Sequence, residues 1–426
     1  MRTSFLIAAL LCATPALADD RDGMEGMDMA AMDMSGMADM PGMAATGTLG
    51  DYPVTRDASG TSWQPDAASH RGIHLTADDW AVMLHARLVG TYDSQSGPRG
   101  GDDTFLAGMV MAAARRDFAG GDTLNLRAML SPDPFMGRAG YPLLLASGET
   151  ADGTAPLIDR QHPHDLLMEL SASYSHRLSG ADSVFVYAGY PGEPALGPAA
   201  FMHRASSEDM PAAPITHHWL DSTHITFGVV TAGYVRGDWK IEVSQFTGRE
   251  PDQFRFDFDP ARFDSTAARL SWNPTANWSL QASWGFLKSP EQLEPAVNET
   301  RYTASATYVL PLADNGSFAA TLAFGRKQLS GGTAGNGVLA EAEYKPAEAW
   351  TLFARAESID SGELFSSPGI KTAGEVSLGA IHDWRVAEHL SLGLGGGYSF
   401  DIVPSGLPSY GSAPHGAMVF LRAIAD

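Results

Sequence analysis

The sequence predicts an all-β protein, a transmembrane antiparallel β-barrel of about 16 strands behind a disordered methionine-rich leader. Three observations predict it. Apolar and polar residues alternate with period two, so one face of each segment is apolar and the other polar. The segments run to about 9–13 residues, the length of a tilted membrane-spanning strand. Short and long connections alternate along the chain, as periplasmic turns and external loops do in outer-membrane barrels.

In order, residues 1–18 read as a secretory signal: Arg2, an apolar stretch Phe5–Leu11, and Ala16-Leu17-Ala18 before Asp19. The one cysteine, Cys12, lies inside it, so the mature chain has no thiolate ligand and no disulfide. Residues 19–50 form a low-complexity acidic leader, expected in the periplasm. Residues 51–75 are a polar linker and possible plug, and residues 76–426 the barrel.

Alternation is clear in Trp278, Leu280, Ala282, Trp284 and Phe286 against Ser279, Gln281, Ser283 and Gly285. It recurs in Trp239, Ile241 and Val243 against Lys240, Glu242 and Ser244, and in Leu166, Met168, Leu170, Ala172 and Tyr174 against Glu169, Ser171, Ser173 and Ser175. Seven short turns and eight long loops divide sixteen strands and place both ends on the short-turn side; Tyr92 and Gln328 are read as ends of strands before long loops. Tryptophans at strand ends (Trp239, Trp272, Trp278, Trp350, Trp384) mark an interfacial girdle. A soluble sandwich is the competing all-β architecture, but its strands are usually shorter.

The 28 Lys and Arg against 50 Asp and Glu give a net charge of −22. That excludes nucleic acid and anionic lipid surfaces as natural partners and suits cations. The expected partners are the outer-membrane bilayer and metal ions. Nucleophile-elbow, Walker and HExxH motifs are absent from the sequence, and no catalytic residue is assigned.

Two groups of residues carry metal chemistry. Met24, Met27, Met29, Met32, Met34, Met37, Met40 and Met43 fall within twenty positions. Thioether sulfur is a soft ligand that favours Cu(I). With no histidine in residues 19–50, Cu(II) has little to bind there. The second group is six of the thirteen histidines, His162, His164, His203, His217, His218 and His224. The strands Leu166–His176 and Ser183–Tyr190 are joined by a short turn, which places the QHPHD stretch and the segment after Tyr190 on one rim. Imidazole there suits Cu(II) or Zn(II), with Asp159, Asp165, Asp221 and Glu169 as possible ligands or orienters. If the chain is extended at His217-His218, only one of the pair faces His162 and His164. Arg255, Asp257 and Asp259 add charge to the same rim.

The stretches Gly60–Pro65 (GTSWQP), Asp159–Leu166 (DRQHPHDL), Gly189–Pro198 (GYPGEPALGP), Phe201–Arg204 (FMHR), His217–Gly228 (HHWLDSTHITFG), Phe246–Asp252 (FTGREPD) and Arg269–Pro274 (RLSWNP) resemble a family of outer-membrane proteins associated with bacterial copper resistance. A methionine-rich leader before a barrel is also similar in layout to copper resistance protein B. The resemblance implies a role in copper binding, efflux or resistance, with periplasmic copper-handling proteins as partners. A porin-like channel for small solutes and an outer-membrane hydrolase using the His/Asp/Arg rim are the alternatives.

Overall fold

The computed structural model describes residues 46–365, 369–405 and 408–426. The expected signal 1–18 and the methionines Met24–Met43 lie outside the described residues. The rest forms a closed antiparallel barrel of sixteen strands with almost no helix among the described residues. In chain order the strands are β1 (Ile73–Ala77), β2 (Trp80–Gln95), β3 (Gly101–Phe118), β4 (Asp122–Leu130), β5 (Tyr141–Thr150), β6 (Pro156–Gln161), β7 (Leu167–Ser179), β8 (Asp182–Gly189), β9 (Val229–Arg236) and β10 (Trp239–Phe246). There follow β11 (Ser265–Thr275), β12 (Trp278–Leu287), β13 (Glu299–Pro311), β14 (Ser317–Leu329), β15 (Ala334–Ala347), β16 (Trp350–Ser361), β17 (Lys371–Ala387), β18 (Leu390–Ile402) and β19 (His415–Ala425).

Each barrel strand pairs with the next, and β19 closes on β2 with Gly416 opposite Gln95 and Ala425 opposite Ala86. Closure leaves no edge, so every strand satisfies its backbone groups within the sheet, as a bilayer requires. β1 pairs with the start of β2, below the end of β19. β5 and β6 stand apart as a hairpin inside the long connection between β4 and β7.

The period-two pattern sorts as two solvents would sort it. Ile241, Leu322, Val419 and Leu421 point outward and are more than half exposed. Their neighbours Glu242, Thr321 and Arg422 point inward and are buried. A continuous apolar exterior of this kind is a liability in water and is satisfied by lipid tails. Trp239 stacks on Trp272 at 4.7 Å near the short-turn end, where Trp278, Trp350 and Trp384 are also exposed. That is the interfacial girdle.

Three sequence expectations need correction. The strand read as ending at Tyr92 continues to Gln95, and the one read as ending at Gln328 continues to Leu329. The two connections that follow, 96–100 and 330–333, are therefore tight rather than long. Strand lengths also spread wider than expected, from 8 residues in β8 to 18 in β3. Finally Met168 does not share the outward face with Leu170 and Tyr174. The β4–β7 register shifts between Met129 and Leu130, and Met168 is fully buried beside Met109 and Met129.

The lumen is occupied by the chain itself. Leu143–Ala146 of β5, Ile215, Trp219 and Leu220 pack against Phe105, Leu339, Ile359 and Met418 of the wall in one hydrophobic cluster. Lumenal glycines make room for these loops. A Cβ on Gly325 would lie 2.2 Å from the Trp219 carbonyl oxygen, one on Gly337 2.7 Å from Trp219 Cβ, and one on Gly285 2.8 Å from Leu196. Residues 46–72 lie on the lumenal side near the short turns. There Arg56 grips Asp66 at 2.6 Å and caps Trp63. Thr61 donates to Glu242 at 2.6 Å, and Asn273 donates to the Gln64 carbonyl at 2.8 Å.

Candidate metal centre

Two loops build the centre. His162 and His164 follow β6, with Pro163 between them. His217 and His218 open a four-residue helical turn, His217–Leu220, and His224 closes the 3-10 turn Ser222–His224. The second loop is anchored from below. Glu357 of β16 accepts from the amides of Ile215 and Thr216 and from the Thr216 hydroxyl, at 3.2, 2.9 and 2.6 Å. Arg204 bridges Glu341 of β15 at 2.5 Å and Asp221 at 3.3 Å.

The two loops bring five histidines together. Ring centroids are 5.1 Å apart for His164–His224 and His217–His224, 5.4 Å for His217–His218, 5.7 Å for His162–His218 and 6.2 Å for His162–His217. All five are buried, and Phe201 packs against His164, His217 and His224. The group therefore lies inside the barrel, where a rim had been expected. Because His217 and His218 sit on a helical turn, both reach the cluster, whereas an extended chain would admit one.

The nitrogens divide by role. Nδ1 of His164 is 2.8 Å from Asp133, that of His217 2.9 Å from Asp221, and that of His224 2.8 Å from the Asp221 carbonyl. Those contacts fix the rings with Nε2 turned away. Nε2 of His162, His164, His217 and His224 is buried with no hydrogen-bond partner among the described residues. His162 Nε2 stands 3.5 Å from Glu149, outside hydrogen-bond geometry. A buried polar nitrogen left unpaired is costly, and an imidazole oriented through Nδ1 by a carboxylate or carbonyl is the usual arrangement of a metal ligand. Among the sequence-proposed orienters, only Asp221 takes that part. Asp165 pairs with Arg255 at 3.2 Å, Asp159 with Arg99 and Tyr410, and Glu169 with Arg127. Asp133 was missed, since nothing in its sequence surroundings marks it.

Burial, and next the Arg255 charge, push the His162 imidazole well below its ordinary range. Burial likewise lowers His217 and His224, in His217 against the pull of Asp221. These rings are held neutral, the form that binds metal. His218 is the exception. Burial would lower it, but the Glu250 charge 3.3 Å away prevails and raises it. His218, Glu250 and Glu291 also offer three ligand atoms within 4.8 Å of one another, a mixed nitrogen and oxygen set beside the five-histidine cluster.

His203 lies apart. Phe201 faces the chamber, while His203, two residues on, lines a different cavity with Met202, His70 and His85. Burial pushes it down to about 4. A second acidic group, Glu208, Asp209 and Glu343, is already neutralised by Arg87, Arg422 and Lys345.

Fold and lumen together define a bilayer-spanning β-barrel of the outer-membrane type whose interior is filled by its own loops. No protein-family model and no curated protein matches the chain. Solved structures do. OmpF of Salmonella typhi, in complex with daunomycin, superposes with a TM-score of 0.53 at 10% identity over 83% of this chain and 100% of that one. An anion-selective porin of Comamonas acidovorans gives 0.47 at 11% identity, covering 81% and 99%. OmpT of Vibrio cholerae gives 0.47 at 8%, covering 83% and 100%. At such identities the likeness is one of fold alone.

Proposed function

We propose that this outer-membrane barrel takes part in copper handling, taking Cu(I) at Met24–Met43 and Cu(II) or Zn(II) in the histidine chamber, with the metal as cargo. One observation carries the reading: four buried imidazoles form a ring with centroids 5.1–6.4 Å apart, each with Nε2 unpaired among the described residues and three with Nδ1 tethered. Such a cluster has no evident packing role, because apolar side chains would fill the space without orphaned nitrogens. Coordination to an ion that draws the rings closer would satisfy them. His218 with Glu250 and Glu291 would extend the ligand set toward the external loops, where a cavity reaches Pro290 and Glu294. The acidic chain favours cations approaching it.

The test is calorimetric titration of the full chain in detergent with Cu(II), which the leader's thioethers hold poorly. His217→Gln with His224→Gln is expected to remove one Cu(II) equivalent and leave heat-modifiable gel migration intact. Undiminished Cu(II) binding in that double variant would refute the chamber. Replacing the eight leader methionines by leucine should lower Ag(I) stoichiometry and leave Cu(II) binding unchanged.

A second reading, a porin-like channel, is favoured by the OmpF-like fold. Its mark is steady conductance for simple salts in planar bilayers without added metal.

A further inference from the structure

Methionine and histidine alternate along the lumenal face of β1 to β4, a feature the chamber does not use. His74 of β1 pairs in register with Met83 of β2. Two residues further along the same face stands His85, which pairs with Met111 of β3. Met111 in turn pairs with Met129 of β4, and Met109 follows it two positions along β3. Register partners hold their Cβ atoms about 5 Å apart, and residues two apart on a strand are separated by about 7 Å. Each step of this ladder is within reach of two long side chains.

The ladder borders a string of cavities. One of about 160 Å³ is lined by His70, His85, His203, Met83, Met111 and Met202. Through Met109 and Met202 it shares its wall with a second, of about 80 Å³, which His162 and His164 also line. At the other end His70 and His74 border a mouth of about 770 Å³ among the short turns. The string thus runs from the short-turn end to the histidine chamber.

Methionine often fills irregular space without further purpose. Two observations go beyond filling. Nδ1 of His70 and of His85 is buried with no hydrogen-bond partner among the described residues. Cavity is left beside Met83, Met109, Met111 and Met202, whereas Met129 and Met168 pack with Ile225 behind it. Guanidinium groups nearby do not confront an entering cation unpaired. Arg87 is closed on Asp209 at 2.5 Å, Arg115 on Asp117 at 2.9 Å and Arg127 on Glu169 at 3.0 Å.

We propose that this ladder binds soft monovalent cations of the Cu(I) and Ag(I) class and passes them between the short-turn mouth and the histidine chamber. Thioether and neutral imidazole are uncharged soft donors, suited to a monovalent ion and poor for Mg or Ca. Donors repeated at short intervals let an ion gain the next ligand before it leaves the last. The inference extends the metal reading of the chamber, and its test is chosen so that the two fail separately.

The full chain, labelled with methyl-¹³C methionine and refolded in detergent, is titrated with Ag(I). Methyl signals of Met83, Met109 and Met111 are assigned from single leucine variants. They are expected to shift on Ag(I) addition in the wild type and equally in His217→Gln with His224→Gln, which disables the chamber alone. In proteoliposomes, Met83→Leu with Met109→Leu and Met111→Leu should cut Ag(I) entry at least tenfold, with Cu(II) binding at the chamber retained. Methyl signals at these three positions that stay still while other methionine signals saturate would overturn the site. Ag(I) entry at the wild-type rate in the triple leucine variant would overturn the passage. Should the chamber fail to bind Cu(II), the Ag(I) shifts of the ladder would stand on their own.

Discussion

Two walls of the same barrel are built on opposite plans. Around β10 to β16 the lumenal face is charged, and the charges close on one another. Arg269 of β11 and Arg301 of β13 are fully buried against Glu242 at 2.9 Å and Glu299 at 2.6 Å, and Arg204 of the docked loop closes on Glu341 of β15 at 2.5 Å. Against this wall the loops dock with smaller voids, of about 10 and 70 Å³. Across β1 to β4 thioethers and imidazoles stand between paired arginines, and a larger cavity, of about 160 Å³, remains. The contrast separates two tasks. Paired charges fix the loop that carries the chamber, while thioethers and imidazoles leave donors free.

The contrast breaks or holds first at Arg204. Arg204→Met leaves Glu341 to Arg355 and Asp221 to the His217 ring alone, and breaking a buried ion pair from one side costs about 3–5 kcal/mol. The urea midpoint of the refolded barrel should fall accordingly, and Cu(II) binding should weaken, since Asp221 orients His217. Met109→Leu on the other wall is a near-isosteric swap expected to cost under about 1.5 kcal/mol. Equal losses at the two positions would erase the distinction between the walls.

A smaller effect tests the docking itself. Gly325→Ala places a Cβ against the Trp219 carbonyl, a backbone atom that cannot swing aside. Overpacking of this kind costs about 1–3 kcal/mol. The 217–220 turn should lift, which Trp219 emission and a weakened Cu(II) titration would register. Unchanged emission and binding would mean that the wall yields and the indentation is incidental.

The smallest effect is in pH. Burial raises the Glu193 carboxyl to about 7, with Arg269 at 3.8 Å too distant to hold it down. Glu193 lies against Gly60 of the docked segment. In the unfolded chain the group titrates in the ordinary carboxylate range, near ~4.3. Its favourable contribution is therefore full below that range and lost as pH rises through about 7. Thermal midpoints in detergent should show the wild type losing ground to Glu193→Gln between pH 5 and 8. A constant difference across that range would show that Glu193 titrates normally.

The barrel was legible because each strand faces two solvents, and Ile241 beside Glu242 records both. The meeting of 159–165 with 217–224 was legible from the tight turn between β7 and β8. Less so was depth. Nothing in the period-two pattern says that a loop turns into the lumen, and the signal that does, glycine at the inward positions 285, 325 and 337, reads as ordinary strand glycine. His203 was misplaced with the other histidines because residues two apart on a 3-10 turn face different ways. The ladder was passed over for a different reason. Met83, Met109, Met111 and Met129 read as generic apolar residues until strand parity is followed, and parity puts each of them on the polar side.

The loop between β8 and β9 rests on strands that come after it in the chain. Leu196 fits against Gly285 of β12, Trp219 against Gly325 and Gly337 of β14 and β15, and Thr216 against Glu357 of β16. A chain emerging from its N-terminus holds this loop without a seat until the later strands are made. Docking is therefore a late, long-range step, and such contacts are slow to form. The seam between β2 and β19 closes around contents that must already be inside. Assembly of this barrel is then a matter of packing a vessel before sealing it, and variants that unseat the loop should delay sealing as well as weaken the product.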